Sequence, residues 1–212
     1  MGRIRLGVLL SGGGTTLQNM LDRIEKGEVP AEVAVVISSV PGVFGLARAE
    51  KAGVPGHTVD RKAYGSAEEF SRAVFDRLDE HEVDLVLLAG FIHLIRVPEK
   101  YEGRILNVHP ALIPAFCGKG YYYDFVHEQV LERGVKVTGC TVHFVDNVFD
   151  NGPIVVQMTT PVHDDDTVAS VKERVQALER EALPRAVKLF AEGRLRVEGR
   201  RVRILPETKA SR

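Results

Sequence analysis

The sequence predicts an α/β protein: a mostly parallel, twisted sheet with helices on both faces and antiparallel additions toward the C-terminal half. Three observations predict it. Short apolar runs alternate with amphipathic stretches through the first half, the rhythm of β-α-β crossovers. Three consecutive glycines, Gly12, Gly13 and Gly14, separate the first apolar run from the first amphipathic one. From Val135 onward the pattern changes to two long β-rich runs followed by a long helix.

The elements follow in order. Ile4–Leu10 reads as a buried strand, and the helix after the glycines places Leu17, Met20, Leu21 and Ile24 on one face by i, i+3, i+4, i+7 spacing. Val33–Ile37 is the second strand. Phe44–Ala52 is helical and stops at Gly53; His57–Val59 is a short strand. A helix through Phe70, Val74 and Leu78 leads to a strand over Asp84–Leu88, and a further strand ends in Asn107-Val108-His109-Pro110. Val135–Val145 and Pro153–Val162 form a pair with Asp150-Asn151-Gly152 near the turn. The last helix carries Val168, Val171, Val175, Leu178 and Ala182, and Pro184 is expected to kink or interrupt it. The basic tail, Arg194–Arg212, reads as a short solvated ribbon that frays over 206–212.

The 212 residues suit one domain, read as a phosphate-binding half over 1–100 and a catalytic half over 101–205. Apolar residues make up 44% and charged residues 27%, which excludes a disordered chain. The 28 Lys+Arg nearly cancel the 29 Asp+Glu, so neither nucleic acid nor a membrane surface is an expected partner. Two cysteines, Cys117 and Cys140, are too few for a disulfide scaffold and point to a reducing, cytoplasmic setting. The N-terminal apolar run contains Arg5 and is unlike a signal peptide.

Ligands of such sheets sit beyond the carboxyl ends of the strands, so the segments there carry the functional reading. Glycines at a strand-to-helix turn let backbone amides approach a phosphate, which the helix N-terminus also favours. Thr15 and Thr16 could cap the helix or donate to that phosphate. A tight turn without a ligand would use the same residues. No Gly-Lys-Ser/Thr follows, and Leu17 replaces the third glycine of a dinucleotide fingerprint. Asn107 and His109, two apart on a strand, leave one face together. An amide donor beside an imidazole suits a developing oxyanion, although two such residues at a strand end can equally be structural. Asp150 reads either as a turn residue or as a partner that raises the pKa of His109.

Taken together, Val8–Gln18 (VLLSGGGTTLQ), Phe44–Ala52 (FGLARAEKA), Leu87–Phe91 (LLAGF), Leu106–Pro114 (LNVHPALIP), Gly139–Gly152 (GCTVHFVDNVFDNG) and Val175–Glu179 (VQALE) resemble the folate-dependent formyltransferases. The resemblance runs in order over nearly the whole chain and is strongest to members that formylate glycinamide ribonucleotide in de novo purine synthesis. It implies a Rossmann-like formyltransferase fold and 10-formyltetrahydrofolate as co-substrate, with no metal. It implies Asn107, His109 and Asp150 as the catalytic trio. Gly14, Thr15 and Thr16 would hold the substrate phosphate, and Gln176 and Glu179 the ribonucleotide. Ile92, His93, Leu94 and Ile95, with Asp146, Asn147, Val148 and Phe149, would clasp the folate. The chain departs from the family at Ala67 and His93, where arginines reach the folate tail, at Arg180 after Glu179, and over Tyr121–Phe125.

The implied chemistry is attack of a neutral amine on the formyl carbon. Asn107 and a protonated His109 would stabilise the oxygen, and Asp150 would support His109 and the proton transfer. A formyltetrahydrofolate deformylase would add an N-terminal domain, for which a first strand at Ile4 leaves no room. A methionyl-tRNA formyltransferase would add a C-terminal one. A non-catalytic nucleotide-binding module would leave the trio unexplained. A monomer or a homodimer fits the sequence equally.

Overall fold

The computed structural model describes residues 2–207. One sheet of nine strands organises these residues, in the order β3-β2-β1-β4-β5-β6-β7-β9-β8. Its first half comprises β1 (Ile4–Leu10), β2 (Ala31–Ser38), β3 (Gly56–Thr58), β4 (Leu85–Leu88) and β5 (Ile105–His109). Neighbours among these five strands are all parallel. The helices α1 (Thr15–Glu25), α2 (Phe44–Lys51) and α3 (Ala67–Glu80) alternate with them. After β5 come α4 (Asp124–Glu132), β6 (Val137–Phe144), β7 (Ile154–Pro161), α5 (Val168–Ala191), β8 (Leu195–Glu198) and β9 (Arg201–Ile204). β6 pairs antiparallel with both β5 and β7, which gives the antiparallel additions expected from the second half.

The period-2 alternation of each strand divides the core in two. Leu6, Val8 and Leu10 of β1 and Leu85 and Leu87 of β4 pack with Leu17 and Met20 of α1, Val130 of α4 and Val171, Val175 and Val187 of α5. Leu9, Val35, Val86 and Leu88 point the other way, onto Phe70, Val74, Phe75 and Leu78 of α3. A side chain at Gly7 would strike Leu78, which is why β1 is smallest where α3 crosses it.

One expectation changes and one is met. α5 runs unbroken for 24 residues through Pro184. Proline lacks the N–H that would bond the carbonyl four residues back. That carbonyl, on Arg180, instead accepts from Asn19 Nδ2 of α1 at 3.0 Å, so the helix continues and is tied to its neighbour. The basic tail forms the expected solvated ribbon, the largely exposed β8–β9 hairpin, which joins the sheet where Arg201 pairs with Ile154. Of the stretch expected to fray, 208–212 lies outside the described residues.

Candidate active site

The strand order reverses direction at β1, which lies between β2 and β4. A crevice opens at such a switch point beyond the strand ends. Here it is a cleft of about 540 Å³. Ser11 joins its walls: its Oγ lies 2.6 Å from Ser39 Oγ and accepts from the Ile92 amide at 3.3 Å. The loop after β1 is thereby tied to the loops after β2 and β4.

Thr15, Thr16, Gln176 and Glu179 line the cleft on the α1–α5 side. The threonines open α1, but neither caps it; the cap position is Gly14, with no side-chain hydrogen bond to the helix. The first amides of α1 are therefore left free of side-chain caps, which suits an anion. Gly14 itself does not line the cleft. Its φ of 70° and an added Cβ only 2.7 Å from Gly45 Cα show that glycine is required there by the backbone and by α2.

On the opposite side Ile92, His93, Leu94 and Ile95 follow β4, and Asp146, Val148 and Phe149 follow β6, all lining the cleft. Asn147 does not line it: its Oδ1 accepts from the Val97 amide at 2.9 Å and fastens the 146–150 loop to the segment after β4. His93 packs edge-on against Phe70 and Phe91, and burial pushes its imidazole below the usual value, aided by Arg61. Ala67 starts α3 and takes no part in the cleft wall.

Asn107, His109 and Asp150 converge at the floor. Asp150 adopts φ 51°, and Gly152 beside it passes so close to β6 that a Cβ would lie 1.8 Å from the Phe144 carbonyl oxygen. The Asp150 Oδ2 accepts from the Gly118 amide at 2.8 Å and lies 3.6 Å from His109 Nδ1. Its Oδ1 accepts from Asn107 Nδ2 at 3.3 Å and lies 3.6 Å from His143 Nε2. Burial alone would raise this carboxyl, but His143, His109 and the Gly118 amide outweigh it and hold the group below the usual carboxylate range.

His109 is 4% exposed, with Nε2 2.8 Å from the Phe116 carbonyl oxygen. Burial lowers its pKa; Asp150 and the Phe116 carbonyl raise it, and His143 lowers it further. Burial wins, which corrects the expectation of an imidazole raised by its aspartate. In the open cleft the ring is neutral, with its proton on Nε2, where Phe116 accepts it.

His143 was not singled out by sequence. It stands directly across from Asn107 in the β5–β6 register. Its Nδ1 donates to the Phe144 carbonyl at 2.7 Å, and its Nε2 lies 3.2 Å from Asn107 Nδ2 and beside Asp150, which packs the three side chains together. Nor did sequence assign a role to Thr141, whose Oγ1 accepts from the Ile113 amide and donates to the Ala111 carbonyl in the loop after β5. That anchor sets Phe116 against His109 and Gly118 against Asp150. Further along, Tyr121, Tyr122 and Tyr123 line the cleft, the last two more than half exposed.

An imidazole and an amide on β5, facing a buried carboxylate from the loop after β6, make a set that can do acid–base chemistry on a small molecule. The family model described as formyl transferase matches residues 4–187, and the chain belongs to that family. It is 36% identical over 196 residues to the phosphoribosylglycinamide formyltransferase of Haemophilus influenzae, covering 92% of this chain and 90% of that one. It is 44% identical over 197 residues to the trifunctional purine biosynthetic protein adenosine-3 of Gallus gallus, covering 92% of this chain but 19% of that protein. Among solved structures, glycinamide ribonucleotide transformylase 1 from Symbiobacterium toebii superposes with a TM-score of 0.90 at 49% identity, over 96% of this chain and 95% of that one.

Proposed function

We propose that this chain transfers the formyl group of 10-formyltetrahydrofolate to the amine of glycinamide ribonucleotide, as a cytoplasmic step of purine synthesis. The observation that carries the reading is the convergence of Asn107, His109 and Asp150 in one cleft lined by Thr15, Thr16, Gln176 and Glu179 on one side and 92–95 on the other. The full-length matches to bacterial phosphoribosylglycinamide formyltransferases support it. No helix among the described residues is long and apolar enough to cross a membrane.

In this reading the ribonucleotide lies along α1 and α5. Its phosphate meets the amides and hydroxyls of Thr15 and Thr16, with Gly14 shaping the turn that presents them, and its sugar meets Gln176 and Glu179. The reduced folate lies between 92–95 and 146–149 and presents its formyl carbon at the trio. The neutral amine attacks that carbon, the C=O bond becomes a C–O⁻, and the amine nitrogen becomes positive. The His109 Nε2–H turns from the Phe116 carbonyl to the oxyanion, and Asn107 gives it the N–H now held in a long 3.3 Å contact to Asp150. As the oxyanion forms, the imidazole takes up a proton from solvent on Nδ1, where Asp150 supports the charge, and gives it back as the oxyanion collapses. A proton leaves the new ammonium group, by way of Asp150 and water, and reaches the departing folate nitrogen as its bond to carbon breaks. The oxyanion then collapses to the new formamide.

Mass spectrometry of the reaction tests the assignment. Protein incubated with 10-formyltetrahydrofolate and glycinamide ribonucleotide should yield formylglycinamide ribonucleotide and tetrahydrofolate in equal amounts. Formate in place of the formylated ribonucleotide would identify water as the acceptor and a deformylase as the enzyme.

A further inference from the structure

α4 contributes a group to the cleft that the mechanism does not use. His127 lines the cleft and is 2% exposed, and its Nδ1 is buried without a hydrogen-bond partner among the described residues. Burial drives its pKa down to about 4, so the ring is neutral at physiological pH. A neutral imidazole carries one proton, on either nitrogen. A proton on Nδ1 would create a buried N–H with no acceptor, and a polar group without a partner in the interior is costly. The structure therefore favours the Nε2–H tautomer, which turns the donor away from the sealed nitrogen and toward the cleft.

The surroundings say what that donor meets. Lys172, Gln176 and Glu179 follow one another along the cleft face of α5 at i, i+4 and i+7. Lys172 Nζ is bonded to Asp124 Oδ1 of α4 at 2.6 Å, so those two charges satisfy each other beside His127. Asp124, Lys172 and His109 all lie close to His127, and the last two share the cleft lining with it. It shares the cleft with the trio and with Gln176 and Glu179, the residues read above as meeting the ribonucleotide. With Lys172 and Asp124 paired to each other, an uncharged oxygen acceptor fits this neutral donor.

We infer that His127 is a specificity residue for the amine substrate, donating from Nε2 to the amide carbonyl that links the reacting amine to the ribose. This rests on the functional reading above.

The two isosteric amides separate the nitrogens. Glutamine places an N–H near the Nε2 position and asparagine places one near Nδ1, while leucine keeps the packing without a donor. Steady-state kinetics with each substrate varied in turn should show the KM for glycinamide ribonucleotide raised about fivefold to tenfold in His127→Leu and His127→Asn, the size of one neutral hydrogen bond. His127→Gln should stay near the parent. The KM for the folate should be unmoved in all three, and kcat should change less than the KM for the amine. Thermal melts identify a variant that fails to fold, and the nitrogen-15 histidine spectrum of the parent should report Nε2 protonated. A parent that transfers no formyl group overturns the functional reading and this inference with it. In an active parent, the inference alone is overturned by a Leu variant with unchanged amine KM, by equal behaviour of Gln and Asn, or by Nδ1 protonation.

Discussion

His109 is flanked by two acceptors, the Phe116 carbonyl and the Asp150 carboxylate, yet burial keeps it neutral. Its state is a balance that substrate charge can tip, and each partner should be measurable. Replacing Asn107 with alanine should lower turnover about a hundred- to thousandfold, the loss typical of one oxyanion donor. His109→Ala should cost about a hundred- to ten-thousandfold. Asp150→Asn should act on the pH profile as well. The carboxylate raises the His109 pKa, so without it burial acts with less opposition and the value falls further. The histidine titration and the matching limb of the pH–rate curve should both move toward acid. A His109 titration that stays in place would reduce Asp150 to a turn residue. At this scale the sequence made Asn107 and His109 legible, because residues two apart on a strand share a face. It did not reveal His143: that role depends on which residue of β6 faces Asn107, and register is a tertiary property.

At the scale of elements, the loop from β1 to α1 combines two demands on glycine. Gly14 is fixed by backbone and packing, so Gly14→Ala should destabilise the fold in a urea titration, with strain at φ 70° and a contact on Gly45. Gly13 has open space around its Cβ and no positive φ. Gly13→Asp should therefore fold normally and still weaken ribonucleotide binding by repelling the phosphate, while folate binding survives. Calorimetry with the two ligands separately checks this, and unchanged ribonucleotide affinity would remove the loop from the site. The α5 helix carries a second case. Asn19→Ala removes the donor to the Arg180 carbonyl that Pro184 leaves free, and should cost about 0.5–1.5 kcal/mol in the same titration. Pro184 reads from sequence as a kink or an interruption; it is no interruption, because the carbonyl left without its N–H finds another donor. The compensating donor comes from α1, far away in the chain, and no local pattern discloses it.

Across the whole molecule, the alternation of apolar runs and the helical spacings were enough to predict a mostly parallel sheet covered on both faces. Strand order and the β6–β7 partnership with β5 were needed to bring 92–95, 107–109 and 146–150 around one cleft. The site carries a stability cost that the pH should expose. Burial raises the Glu179 carboxyl to about 7 against some relief from Arg180. A group whose folded value lies above its unfolded one contributes stability fully at low pH and loses it as pH rises to the folded value. Unfolding free energy should accordingly decline from about pH 4.5 to about pH 7 on this account, and Glu179→Gln should remove the decline, with a gain of about 1–3 kcal/mol at pH 8. Denaturant titrations across that range measure it, and a parent-like slope in the variant would place the cost elsewhere.

The central claim is that the acceptor of the formyl group is an amine held on the α1–α5 wall, and not water. The most direct measurement is the rate of formyl loss from 10-formyltetrahydrofolate with and without glycinamide ribonucleotide. The account predicts slow loss from the folate alone and fast loss once the ribonucleotide is present, with the formyl group recovered on its amine. Equal rates in the two reactions, with formate as the product of both, would contradict it.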